Sequence, residues 1–246
     1  MAWIEPQVEP EWHRQIPDDQ WAIYERVIQA ARSRNLRFAL GGGFAIATYT
    51  GQWRNTKDMD VYVVPRDREA MIETVLNTGL TDYYDTLPYD RAWIFRTACD
   101  KVIVDIIWAM ANRRADVDNL WLERAPTITM RGERLRVVPP EDMVWNKLYV
   151  LQRDRSDWPD VLNLIEATGE DLNWDYLLGR LENDVPLLAG ALSVYGWLCP
   201  ACAPKLPAWL WERVKVPRPA PADVPERADL LDRRPWFRFK EDKRVP

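Results

Sequence analysis

Apolar residues recur along this chain with two different periods, and the switches between them mark its elements. Residues 18–34 set Trp21, Tyr24, Val27, Ile28 and Ala31 at helical spacing behind Asp18 and Asp19, acids suited to a first turn, which predicts an amphipathic helix. The short apolar run 36–40 predicts a strand that stops at Gly41, Gly42 and Gly43, and residues 43–51 predict a second, short helix. Residues 58–64 have strand composition; Pro65 ends that run, and 66–79 predict a helix closed by Gly79. Two further strands are predicted at 92–97 and 102–108, joined by a hairpin through 98–101, followed by a helix over 115–125 and a hairpin turning at Gly132.

After Pro139 and Pro140 the strand signals stop. From 141 to about 198 the pattern is helical, in segments 141–154, 159–169, 173–184 and 185–198. Beyond Cys199 prolines become dense, which predicts an extended tail anchored by Trp209, Trp211, Trp236 and Phe237. The expected class is α+β: a small mixed β-sheet flanked by helices over 1–138, a helical domain over 139–198, and a Pro/Trp-rich extension over 199–246.

Composition narrows the setting. Hydrophobic residues are 47% and charged residues 29% of 246, too apolar for intrinsic disorder. No long uncharged apolar run appears and the acidic, proline-containing N-terminus does not read as a signal peptide, so a cytoplasmic protein without a membrane partner is expected. Three cysteines in such a chain predict reduced thiols. With a net charge of −5, binding to nucleic acid needs a local basic patch.

Asp58 and Asp60 stand two apart in a predicted strand, so the pleat sends both side chains to one face. Two adjacent carboxylates repel, and a divalent cation relieves that repulsion; a solvated strand end is the plain alternative. Asp105 sits within the apolar run VIVDIIW, where an ionised carboxylate needs a metal, a loop to cap, or an Arg such as Arg54 or Arg96. Gly41–Gly43 join a strand to a helix, so their bare N–H groups and the helix dipole can face a phosphate, or simply allow a tight turn. The triplet is neither a P-loop nor a dinucleotide fingerprint.

Together, Gly41-Gly42-Gly43, the run Arg54-x-Thr56-x-Asp58-x-Asp60 and the later Asp105 resemble the polymerase-beta-type nucleotidyltransferase superfamily. Residues 140–165 are similar to the helical motif of its abortive-infection branch, which includes toxins of toxin-antitoxin systems; the resemblance spans about residues 36–166. It implies an enzyme that moves a nucleoside monophosphate from a nucleoside triphosphate to an acceptor hydroxyl. Asp58, Asp60 and Asp105 would hold two Mg²⁺ ions, with Mn²⁺ as a substitute, and Asp105 would help activate the hydroxyl. Gly41, Gly42, Gly43, Arg54, Thr56 and Lys147 would bind the nucleotide. Arg155, Asp157 and Asp160 match the motif less closely. Lys147 lies on an inward helix face, as a phosphate ligand or a snorkelling side chain. The implied acceptor is RNA, with an antitoxin protein as a partner; the alternatives are a small antibiotic-type acceptor and a non-catalytic nucleotide-binding or partner-binding module. Gly43 departs from the pattern, which often has Ser there.

Three features lie outside that pattern. His13 is expected at the surface. Cys199 and Cys202 form a C-x-x-C that would need Cys99 and His13 to complete a zinc site. The segment 233–244 mixes cations with aromatics, either to track a single strand or to pack its rings on the domain.

Overall fold

The computed structural model describes residues 11–54, 56, 58–153, 155–220 and 227. Contacts divide the chain into two compact units, Met1–Pro139 and Pro140–Pro246. The first holds the sheet and the second is helical, so the class is α+β.

In the first unit, helix α1 (Asp18–Ser33) buries all five residues of its predicted stripe, and Gln20 with them. Strand β1 (Ala39–Leu40) leads through Gly41 into α2 (Gly42–Thr50), which Gly51 closes in the left-handed region at φ 69°. Strand β2 (Asp58–Tyr62) is followed by α3 (Arg68–Asn77), then β3 (Thr81–Asp82), β4 (Ile94–Cys99) and β5 (Val102–Ile107). These five strands form one mixed sheet in the order β1-β2-β5-β4-β3. Only the β2–β5 pairing is parallel. Helices α1 and α3 pack against β5. Met59, Val61, Val104 and Ile106, which share one face by alternation, are sealed from solvent.

The remaining elements of this unit show where local pattern gave way to packing. Helix α4 (Asn119–Glu123) is shorter than the stretch 115–125 predicts, because Asp118 caps it by accepting from the Leu120 N–H at 2.8 Å, while Ala109 and Asp116 bridge just before it. Strands β6 (Thr127–Met130) and β7 (Glu133–Arg136) pair as the predicted hairpin. Its two turn residues, Arg131 and Gly132, both have positive φ, the backbone whose twist suits a two-residue hairpin. Strand β3 was not legible, being two residues long.

His13 is buried rather than exposed. It lies in a 3-10 turn (Glu11–Gln15) whose neighbour Trp12 stacks on Trp53 at 5.3 Å and 12°. Phe44 of α2 meets Trp12, Tyr24 and Trp53 edge-on at 6.1, 5.7 and 5.3 Å.

The helical unit runs α5 (Pro140–Leu148), α6 (Trp158–Thr168), α7 (Trp174–Leu181), α8 (Val185–Leu198) and α9 (Ala208–Val214). Helix α5 stops six residues before its pattern does. There the chain folds back, with Asp157 N–H donating to Val150 O at 3.0 Å and a bridge between Leu151 and Ser156. Helix α9 contradicts the extended tail expected after Cys199: its prolines precede the first turn, where a missing N–H is harmless. Trp211 is buried against α8, whereas Trp209 is exposed. Trp236, Phe237 and the cationic stretch 233–244 lie outside the described residues. No helix among the described residues is long and apolar enough to cross a membrane.

Phe44 sits where α1, α2 and the loop before β2 meet. Phe44→Ala should lower the unfolding free energy by about 3–5 kcal/mol, read from urea denaturation followed by tryptophan fluorescence; a loss below about 1 kcal/mol would show that these rings do not bind those elements together.

Candidate active site

The parallel register of β2 and β5 sets Asp60 opposite Asp105, and Asp58 opposite Ile103. Alternation then sends all three carboxylates from one face of the sheet, and one oxygen from each lies within 4.8 Å of the others. Asp58 and Asp60 are half-buried, while Asp105 is 1% exposed. Burial pushes the Asp105 carboxyl above its usual range; Arg96 opposes this by hydrogen bond and charge, and the charge of Asp58 adds to it.

Arg96 faces Asp105 across β4 and β5 as a register pair. Its Nε donates to Oδ1 at 2.8 Å and its Nη2 to Oδ2 at 2.5 Å, a two-bonded fork. That bond holds the guanidinium charged more firmly than usual. An Arg partner and a carboxylate cluster therefore coexist at Asp105. Each carboxylate oxygen has two lone pairs and the fork takes one on each, so Asp105 still has acceptor sites to turn toward a cation. Hard oxygen donors of this kind suit a divalent metal, so the three aspartates fit one. Among the described residues this is the only cluster of three or more Asp, Glu, His or Cys ligand atoms, so Cys199 and Cys202 have no zinc site there.

The glycines are packed against β2. Gly41 N–H donates to Asp60 O at 2.9 Å, and a Cβ on Gly41 would lie 2.2 Å from the Tyr62 ring. Gly42 has φ +47°, and a Cβ there would lie 1.5 Å from Asp60 Oδ2. At Gly43 the conflict is with Thr56 Cγ2, at 2.8 Å. Absence of side chains thus brings the start of α2, with its unpaired first-turn N–H groups, directly beside the aspartates.

Thr56 ties its loop to the strand: its hydroxyl donates to Asp58 O at 3.3 Å, and Asp58 N–H donates back at 3.4 Å. Gln20 Nε2 donates to Thr56 O at 2.9 Å and to Tyr24 Oη at 2.7 Å. Burial pushes the Tyr24 phenol up against the lowering effect of Gln20, and the charges of Asp58, Asp60 and Asp105 push it further. Arg54 is exposed. Gln20 and Tyr24 were not among the expected site residues, and Arg96 was expected only as one possible partner of Asp105. Their signal was a polar side chain on an apolar face, Gln20 one turn before Tyr24 and Arg96 two after Ile94.

Lys147 belongs to the helical unit. Its Nζ is 2.8 Å from both Asp157 and Asp160, and Arg155 adds a 3.0 Å contact to Asp157. Burial works to lower the Lys147 pKa, but the two carboxylates outweigh it and the group rises. Asp157 falls despite burial, held down by Arg155 and Lys147. Lys147 therefore adds stability below its ordinary pKa that is lost only as pH rises through the higher folded value. The Asp157 contribution is present above the ordinary carboxylate range and fades as pH falls through its lowered one.

A family model described as an uncharacterised nucleotidyltransferase matches residues 19–184, which is more than half of the chain. The chain belongs to this nucleotidyltransferase family. The match runs from α1 into the helical unit, wider at both ends than the resemblance read from the motifs, and leaves α8 and α9 outside it. No protein of curated function matches the nucleotidyltransferase by sequence. Among solved structures it is similar to the antibiotic-resistance factor ANT(2'')-Ia, at 18% identity over 72% of this chain and 96% of that one, with a TM-score of 0.49. It is also similar to the lincomycin-bound lincosamide antibiotic adenylyltransferase LnuA, at 15% identity over 62% and 99%, TM-score 0.44. Megavirus polyadenylate synthase is similar at 11% over 78% and 45%, TM-score 0.41.

Two outcomes are expected of the nucleotidyltransferase. Gly42→Ala should displace the Asp60 carboxylate and cut the rate of nucleotide transfer about 100-fold, while circular dichroism shows the fold retained; an unchanged rate would mean that Asp60 does not need the vacant Cβ position. Lys147→Met removes the buried cation between Asp157 and Asp160 and should lower stability by about 3–5 kcal/mol in urea at neutral pH; a difference near zero would show that the two carboxylates do not depend on it.

Proposed function

We propose that this nucleotidyltransferase moves a nucleoside monophosphate from a nucleoside triphosphate to a hydroxyl of RNA. The observation that carries the transfer chemistry is the register of β2 and β5, which gathers the oxygens of Asp58, Asp60 and Asp105 within 4.8 Å beside the glycine start of α2. The choice of RNA rests on the likeness of residues 140–165 to the toxin-like branch.

Asp58, Asp60 and Asp105 would hold two Mg²⁺ ions. When bound, these ions offset negative charge on the phosphates and on the entering and departing oxygens. The remaining work falls to the chain. Gly42 and Gly43 present backbone N–H groups to the triphosphate, with the positive end of α2 behind them, while Gly41, its own N–H on Asp60 O, brings that turn against β2. Thr56, held by Gln20, keeps its loop in place, and Arg54 at the loop surface reaches the nucleotide. Asp105, set beside Asp60 by the register of β2 and β5, takes the proton of the acceptor hydroxyl on its carboxylate. The acceptor oxygen bonds to the α-phosphorus as the bond to the pyrophosphate oxygen breaks, and pyrophosphate leaves. Lys147 is held between Asp157 and Asp160 within the helical unit.

The test is label transfer from each α-labelled nucleoside triphosphate, with Mg²⁺, to total RNA, protein and small molecules. Asp58→Ala and Asp60→Ala should each lower transfer about 1000-fold with the unfolding midpoint retained. Label in RNA supports the acceptor, label in small molecules replaces it, and wild-type turnover in either variant would sink the mechanism.

A further inference from the structure

Cys199 and Cys202 take no part in the nucleotide chemistry, and among the described residues no third ligand atom joins them to hold a metal. What two such sulfurs retain is two-electron chemistry with each other. Helix α8 ends at Cys199, whose N–H donates to Tyr195 O at 2.8 Å. The chain then turns at once: Cys202 N–H donates to Cys199 O at 3.1 Å and closes a turn through Pro200 and Ala201. Such a bond keeps the outer α-carbons within about 7 Å, the reach of a disulfide. A 3-10 turn (Ala203–Lys205) follows, and Ala203 N–H also donates to Cys199 O, at 2.9 Å, so backbone bonds hold the two cysteines in one bend.

The two sulfurs differ in their surroundings. Cys199 is 1% exposed and stands at the C-terminal end of a 14-residue helix, where unpaired carbonyls disfavour negative charge. Cys202 is half-buried, and the exposed Lys205 ammonium donates to its Sγ at 3.9 Å, where positive charge favours a thiolate. We propose that Cys199 and Cys202 form a thiol–disulfide exchange site for anionic low-molecular-weight disulfides of the glutathione class, with Cys202 attacking and Cys199 resolving. The Cys202 thiolate bonds to one sulfur of the small disulfide, whose S–S bond breaks and releases the other half as a thiolate. Cys199 gives its proton to solvent, its sulfur bonds to Cys202 Sγ, and the second half leaves as a thiolate. The two cysteines lose two electrons, and the small disulfide gains them as two thiols once protonated. A bridge that closes so short a loop takes little entropy from the unfolded chain, so it is a reversible bond and not a staple.

The test exposes the full chain to glutathione disulfide with a chelator present, quenches with N-ethylmaleimide and maps the cysteines by peptide mass spectrometry. Wild type should give a bridge between Cys199 and Cys202 with no lasting glutathione on either, and dithiothreitol should restore both thiols. Cys199→Ser should instead keep glutathione on Cys202, and Cys202→Ser should leave Cys199 unmodified. Lys205→Met removes the cation and should slow capture at Cys202 about fivefold near neutral pH, with a smaller difference in high salt. Glutathione that stays on Cys202 in wild type overturns the bridge. Capture at Cys199 in Cys202→Ser at the wild-type rate overturns the assigned order, and an unchanged rate in Lys205→Met overturns the part given to the cation. No reaction at either cysteine, under conditions that modify the urea-denatured chain, overturns the site itself. If Cys199→Ser does not fold, the wild-type map and the Lys205→Met rate decide on the same terms.

Discussion

Three carboxylates drawn to one spot repel, and much of the first unit is arranged so that they stay there. Covalent spacing places Asp58 next to Asp60, but only the parallel ladder between β2 and β5 brings Asp105 alongside. That ladder is the single parallel pairing in an otherwise antiparallel sheet, so the chain must cross over between β2 and β5. It does so through α3, and β3 and β4 occupy the far side. The detour also supplies the counter-charge, because β4 carries Arg96 into register with Asp105. One topological choice thus creates both the repulsion and part of what offsets it.

The glycines answer a different demand on the same strand. Helix α2 can approach β2 closely only if three successive positions lack side chains, each against a different neighbour: Tyr62, Asp60 and Thr56. Behind them the aromatic group of Trp12, Tyr24, Phe44 and Trp53 joins the N-terminal turn, α1, α2 and the loop that carries Arg54 and Thr56. Rigidity around the glycine turn is therefore hydrophobic in origin, while the cluster in front of it is ionic.

Much of this was legible in the sequence, for reasons that differ by residue. Asp58 and Asp60 announce a shared face by spacing alone, and Asp105 stands out because an acid in an apolar strand demands an explanation. Helix α1 shows its stripe openly, and the β6–β7 turn shows its glycine. Other features were hidden because they depend on contacts distant in the chain. Arg96 was one of two candidate partners of Asp105, and choosing it over Arg54 requires the register of the β4–β5 hairpin. His13 is polar in sequence yet buried in the structure. The early end of α5 follows from Lys147 meeting Asp157 and Asp160, a fold-back that helical periodicity cannot encode. In α9, proline density read as a breaker stood instead at the positions that open a helix.

The stacked indoles of Trp12 and Trp53 have an optical consequence. Two nearly parallel rings 5.3 Å apart couple their electronic transitions, which makes the pair a source of near-ultraviolet circular dichroism. Trp53 adjoins Arg54 and lies three residues before Thr56, so the order of that loop is written into the spectrum of the protein itself. Any ligand that tightens or loosens the loop carries a native chromophore with it.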